Sequence, residues 1–270
     1  MSVPPDVQPL RRATLAERGD LDLDVLFEDD YLLAINKPAG LVVHPTHAHA
    51  SGTLLNALMW HARTWPADHR PSIVGRLDKL TSGVVMVAKT AMMHAALQRA
   101  MNGDDCAKEY LGVVYGRVNP PSGRIVLRLA RDQEDRRKVA ASANVGAASI
   151  TYYERVARVD APPVGLALLR CRLGTGRTHQ IRAHLAAQGF PLVGDPVYKG
   201  PRRVAIADAE LSAVLRAFPR QALHAWRLSL VHPIARHTLT IEAPLPSDIS
   251  MLLDVSGLQS AWRARQTPPG

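Results

Sequence analysis

The string Gly75-Arg76-Leu77-Asp78-Lys79-Leu80-Thr81-Ser82-Gly83 sets one carboxylate between two cations, in a polar loop that runs into an apolar strand. Neighbouring positive charges favour the ionised form of a carboxylate, which suits Asp78 to act as a nucleophile or an electrostatic stabiliser. The competing reading is structural: an aspartate in a turn often caps it, here through the amides of Thr81 and Ser82. By spacing alone the cap is the commoner role. A second string, Gly174-Thr175-Gly176-Arg177-Thr178-His179-Gln180-Ile181-Arg182-Ala183-His184, puts two glycines ahead of an expected helix. Free amides at a helix start attract anions, so this segment could cradle a phosphate. It matches neither the P-loop nor the dinucleotide fingerprint, and the signal is weak.

Other chemistries find less support. His179 and His184 are five residues apart, so they do not share a helix face as the i, i+4 zinc pair does, and no glutamate lies between them. His44, His47 and His49 cluster without a partnering acid or cysteine, and no metal site is expected. No GxSxG elbow surrounds Ser82, which leaves serine hydrolysis unsupported. Cys106 follows Asp104 and Asp105, whose charge disfavours a thiolate and makes a poor nucleophile.

The elements that must position these strings can be read from apolar spacing. Tyr31 to Asn36, a turn at Lys37-Pro38-Ala39-Gly40 and then Leu41-Val42-Val43 predict a β-hairpin. Thr53 precedes a helical face of Leu54, Leu55, Leu58, Met59 and Ala62 and should cap it. Val84 to Lys89 reads as a buried strand, and Thr90 opens a helix through Met101. Strands are expected over 109–118, 124–130, 148–159, 164–173, 223–231 and 238–243, with a helix near 208–218. Residues 131–146 read as a mobile loop or solvated hairpin. Thr178 is expected to cap a helix that carries Ile181, Arg182 and Leu185 and stops at Gly189. Strands outnumber helices without alternating with them, which favours an α+β sheet protein over a doubly wound one.

Composition bounds the class. The 270 residues are 47% hydrophobic and 21% charged, values of a globular chain with one large domain, so a fibre or a disordered tail is excluded. No apolar run approaches the roughly 18 residues of a membrane span, and the first residues lack a secretory pattern, so a cytoplasmic location is expected. Two distant cysteines, Cys106 and Cys171, make no disulfide framework. The net charge of +9 points to a partner carrying phosphate. Arginine dominates the basic set, clustering in 131–138, 170–182 and at Arg202-Arg203, and its planar fork suits phosphate and base edges.

Taken together the strings resemble the RluA-type family of RNA pseudouridine synthases. Asn36 to Pro45 is similar to its first motif, Arg76 to Gly83 to its RLDxxTSG motif, and Lys108-Glu109-Tyr110 to its KxY element. Gly176 to His184 with Gly194-Asp195-Pro196-Val197-Tyr198, then Leu223-His224-Ala225 with His232-Pro233, resemble the remaining ones. One departure is Gly75, which stands where the family usually has histidine. The resemblance implies the pseudouridine synthase fold, an α+β domain over 25–250 around a central, mostly antiparallel mixed sheet. Residues 1–24 would be an extension, too short to hold an appended RNA-binding domain, and 251–270 a C-terminal tail.

It also implies an isomerase with Asp78 as catalytic aspartate, Arg182 as its pairing arginine and Tyr110 beside the target uracil. Arg76, Lys37 and Arg177 are expected to contact RNA. Isomerising uridine involves no redox step, so neither cofactor nor metal is expected. The expected partner is structured RNA, a ribosomal or transfer RNA stem-loop, with the protein acting as a monomer without an obligate protein partner. Two other readings remain: a noncatalytic RNA-binding protein on the same scaffold, and an aspartate-nucleophile phosphohydrolase, for which a DxD motif around Asp78 is missing.

Overall fold

The structure, a computed structural model, describes residues 21–45, 51–160, 164–200 and 208–266. Along the first half run β1 (Val25–Glu28), β2 (Leu32–Lys37), α1 (Leu54–His61), β3 (Ser72–Val74), β4 (Ser82–Ala88), α2 (Ala91–Asn102) and β5 (Ala107–Tyr115). Then come β6 (Ser122–Arg131), β7 (Val139–Ser142), β8 (Ala147–Val159), β9 (Leu166–Leu173), α3 (Gln180–Ala187), α4 (Ala209–Ala217), β10 (Leu223–Val231), β11 (Thr238–Glu242), α5 (Ser247–Val255) and α6 (Leu258–Gln266). All eleven strands join one sheet in the order β1-β2-β4-β10-β5-β9-β8-β6-β7, with β11 on β10 and β3 on β4. The expected α+β class holds, with a mixed and mostly antiparallel sheet.

The exception to antiparallel pairing decides where the site lies. β4 and β10 run parallel over a short contact, His224 opposite Ser82 and Ala225 opposite Gly83. That contact joins the two halves of the sheet at the end of the Asp78 loop. Alternation along the central strands then feeds two cores, because successive side chains of a strand point to opposite faces. Leu111 and Val113 of β5 with Leu166 and Leu168 of β9 pack against α4, α5 and α6. Val114, Leu169 and Cys171 face the other way, against Ile181 and Leu185 of α3. The helix that carries Arg182 is thereby fixed to the sheet by its apolar residues.

The helix starts at Thr53, Thr90 and Asp208 follow the sequence. Thr53 and Asn56 form a reciprocal capping box, and the side chains of Thr90 and Asp208 accept the amides of Met93 and Leu211. Other expectations do not hold. The hairpin predicted over 31–43 is absent: β2 pairs with β1 and β4 instead. The Val42 and Val43 carbonyls accept the amides of Leu54 and Leu55, so their polar groups serve the start of α1 and not a ladder. Thr178 caps nothing in α3; the residue before the helix is His179, in the left-handed region at φ 54°. The stretch 131–146, by contrast, takes the hairpin form that was one of its two readings, with the edge strand β7 paired to β6. Residues 251–266, expected as a tail, lie largely in α5 and α6. Leu252, Leu253 and Leu258 are fully buried there, because the sheet face they cover would otherwise expose Leu166 and Leu168. Residues 1–20 of the expected extension 1–24, His47, His49 and Arg202-Arg203 lie outside the described residues.

Candidate active site

Asp78 sits on the loop from β3 to β4, and the residues after it are held one by one. The Lys79 carbonyl accepts the Gly40 amide at 2.8 Å and the Lys37 ammonium at 3.1 Å. The Leu80 carbonyl accepts Arg220 Nη1 at 3.1 Å, the Thr81 hydroxyl accepts the Gln221 amide group at 3.1 Å, and Ser82 bonds His224 Nδ1 at 2.9 Å. Gly83 follows at φ +116°, where a side chain would overlap the Ala225 carbonyl. A loop anchored at this many successive positions presents Asp78 in a fixed place. The capping role weighed for Asp78 falls to its main chain: its carbonyl accepts the Thr81 amide at 3.0 Å.

The carboxylate itself meets Arg182, 104 positions later in the sequence, whose Nη1 donates to Asp78 Oδ2 at 2.8 Å. Arg182 owes its aim to α3, of which residues Gln180 to Leu185 are all buried. Gln180 anchors the helix start: its Oε1 accepts the Thr175 hydroxyl and the Arg177 amide, and its Nε2 donates to Ile150 O and Thr151 Oγ1. Arg182 Nε and Nη2 donate to Asp195 at 2.7 and 2.9 Å. Burial opposes the charge of both partners. The Asp195 carboxylate outweighs it for Arg182, whose pKa is raised, and Arg182 outweighs it for Asp195, whose carboxyl is held below its ordinary value.

A cavity of about 550 Å³ opens over this pair, bordered by Arg76, Asp78, Tyr110, Arg177, His179 and Arg182. That size is in the range that accepts a small organic group. Tyr110 of β5 has its phenol pushed upward by burial and by the charge of Asp78, which keeps it neutral. His179 Nε2 lies 3.7 Å from Asp78 Oδ2, and burial holds its imidazole below the ordinary value. Arg76 and Arg177 are exposed at the mouth, with Arg76 donating to the Thr178 hydroxyl.

Asp78, Tyr110, Arg182, Arg76 and Arg177 therefore meet in one place. Lys37 does not: expected as an RNA contact, it is fully buried. Its ammonium donates to the carbonyls of Pro38, Leu41 and Lys79. Burial and the neighbouring Arg220 push its pKa down to about 7. Gly75, at φ +81°, adopts a backbone that favours glycine at the place of the usual histidine. Of the histidine pair, His179 borders the cavity while His184 is fully buried against Thr151. Sequence reasoning placed Asp195 in a motif without a role and missed Arg220. The signal for Asp195 was Gly194 before it, at φ +70°, where a side chain would overlap the Arg220 carbonyl. Among the described residues no group of three or more His, Cys, Asp or Glu could hold a metal, and no helix is long and apolar enough to cross a membrane.

Comparison with known proteins gives this arrangement a context. A family model described as RNA pseudouridylate synthase matches residues 31–187. The chain is 41% identical over 237 residues to "Ribosomal large subunit pseudouridine synthase D" of Pseudomonas aeruginosa, covering 87% of this chain and 72% of that protein. It is 38% identical over 237 residues to "Uncharacterized RNA pseudouridine synthase YlyB" of Bacillus subtilis, covering 87% and 73%. Among solved structures, "Human RNA Pseudouridylate Synthase Domain Containing 4" superposes with a TM-score of 0.68 at 22% identity, over 88% of this chain and 92% of that one, which supports the fold.

Proposed function

The chain belongs to the RNA pseudouridylate synthase family and is an RNA pseudouridine synthase, an isomerase, and from that premise we propose that Asp78, Tyr110 and Arg182 carry the reaction. The proposed substrate is a uridine of large-subunit ribosomal RNA presented in a stem-loop, the protein acting as a monomer. The name of the Pseudomonas aeruginosa relative favours ribosomal over transfer RNA. The observation that carries the site assignment is the 2.8 Å contact of Arg182 with Asp78 beneath a cavity whose mouth holds two exposed arginines.

The reaction breaks the bond from ribose C1′ to base N1, turns the base and joins C1′ to C5, with loss of the C5 proton and gain of a proton at N1. Asp78 attacks C1′ or removes the 2′ hydrogen to give a glycal, and Arg182 keeps it charged and oriented in either case. Tyr110 presents a neutral aromatic face on which the detached base can stack and turn, and its hydroxyl can assist transfer of the C5 proton. The target base must leave its helix to reach Asp78, and Arg76 at the mouth is placed to fill the gap or to pair with a displaced base. No step calls for an electron acceptor or a metal.

The test is to incubate the protein with transcripts of large-subunit ribosomal RNA, whole and divided into stem-loops, and with assembled large-subunit particles, and to analyse the nucleosides. Pseudouridine in one isolated stem-loop is expected, with binding that weakens steeply as salt rises. Unchanged RNA in every form would favour the noncatalytic reading. Product only in an assembled ribosomal particle would overturn local recognition and leave the chemistry standing.

A further inference from the structure

Arg182 does not give its fork to Asp78. Nε and Nη2, the donors of its side edge, both go to Asp195, and Asp78 is bonded by Nη1 alone at 2.8 Å. Asp195 is built to hold that edge. Its side chain is 0% exposed and that of Arg182 is 4% exposed, against 25% for Asp78. Asp195 Oδ1 also accepts the amides of Val197 and Tyr198 at 2.9 Å each, so the carboxylate is fixed from its own backbone. The Tyr198 ring lies against the guanidinium, 5.3 Å from its centre, and stands edge-on to His179. Gly194 lets this backbone rest on the Arg220 carbonyl, and the Arg220 side chain holds Leu80 in the Asp78 loop. Both carboxylates are thus set on one frame.

A bidentate arginine–carboxylate pair is among the strongest contacts a protein makes, and a nucleophile locked in one is slow to leave it. A carboxylate that must form or relay bonds at ribose needs orientation with a contact it can give up. We propose that Asp195 is a positioning residue for the isomerisation: it occupies the fork of Arg182, so that Asp78 is oriented end-on by one N–H and stays free to act on the substrate. This rests on the reading of Asp78 and Arg182 given above. It assigns the Gly194-Asp195 turn, which lies beyond the span matched by the family model, to the reaction.

Asp195→Asn keeps the shape and the acceptor for the two amides, and it removes the charge and one acceptor facing Arg182. Arg182 is then drawn fully onto Asp78. The expected result is a kcat lowered by about thirtyfold or more with RNA Kd changed by less than about threefold, since the affected contact lies under the chemistry and not on the RNA. The decisive readout is the double-mutant cycle with Arg182→Met. If Asp195 acts through Arg182, Asp195→Asn adds less than about twofold in the Arg182→Met background. Equal losses in both backgrounds would mean a general structural role and would overturn the inference. An Asp195→Asn variant with near-normal kcat would do the same while Arg182→Met stays impaired. Normal activity of Arg182→Met would instead sink the underlying reading.

Should Asp195→Asn fail to fold, 15N-arginine NMR of the wild-type protein and of Asp78→Asn carries the test. The Nε–H of Arg182 should be slow to exchange and unmoved in Asp78→Asn. An Nε–H that exchanges freely, or that follows Asp78, would refute the divided fork.

Discussion

Arg182→Met removes a guanidinium that is 4% exposed and bonds two carboxylates at 2.7, 2.8 and 2.9 Å. Methionine fills most of the stem's volume, so the loss is electrostatic. Asp195 is left with its side chain 0% exposed and only the amides of Val197 and Tyr198 as partners. Breaking a buried pair on one side typically costs about 3–5 kcal/mol, and the two surviving amide bonds place the expected loss near the lower end, about 3 kcal/mol. The cost should depend on pH. In the native protein burial opposes the Asp195 charge but Arg182 outweighs it, so its carboxyl lies below the ordinary value. The stability it contributes is complete above about pH 4, the unfolded carboxyl's range, and is lost as pH falls through the lower folded value. Without Arg182, burial dominates and raises that carboxyl, so the variant takes up a proton above about pH 4. The two proteins should therefore differ most at neutral pH and converge as pH falls through and below about 4. Urea unfolding at a series of pH values reads this directly, and turnover should fall by at least about a hundredfold. A difference below about 1 kcal/mol at pH 7, or one that stays flat with pH, would refute the reasoning.

Gly83→Ala sets a methyl against the Ala225 carbonyl at a positive φ. It should force β4 from β10 at a cost of about 2–3 kcal/mol, read as a lowered urea midpoint; wild-type stability would show that the strands adjust freely. His184 and His224 are fully buried, and burial lowers each to about 4. The unfolded chain then binds more protons, so unfolding free energy should fall between about pH 6.5 and 4, by about 3 kcal/mol per histidine. Replacing His184 by Asn should remove part of that slope, and an unchanged slope would exclude it as a source. Arg76→Ala, at the exposed mouth, should slow modification of a stem-loop more than that of a single-stranded RNA, in which the target base need not be flipped. Equal slowing of both would remove Arg76 from the flipping step.

Legibility followed the range of the interaction. Thr53, Thr90 and Asp208 bond amides three residues away, so helix starts were visible in the sequence. Leu41-Val42-Val43 has the composition of a strand, but the carbonyls of Val42 and Val43 are claimed by Leu54 and Leu55 across a chain excursion that local pattern does not reveal. Thr178 was the obvious cap for α3, yet Gln180, already inside the helix, organises its start. Asp78 and Arg182 stood out by motif, and the fold brings them into contact. Lys37 carries no local mark of its role, and Asp195 only the glycine before it. A lysine in a basic chain reads as a partner for phosphate, and only the three carbonyls around its ammonium show that it ties the loop of Asp78 from beneath.

The central claim is that the carboxylate of Asp78 performs the chemistry, and Asp78→Asn tests it with the least change of shape. With a competent RNA in hand, pseudouridine formation by this variant should be undetectable by nucleoside analysis under conditions in which the wild-type protein modifies all of it. RNA Kd should shift by less than about tenfold, or about 1.4 kcal/mol. Substantial pseudouridine from freshly prepared Asp78→Asn would contradict the account.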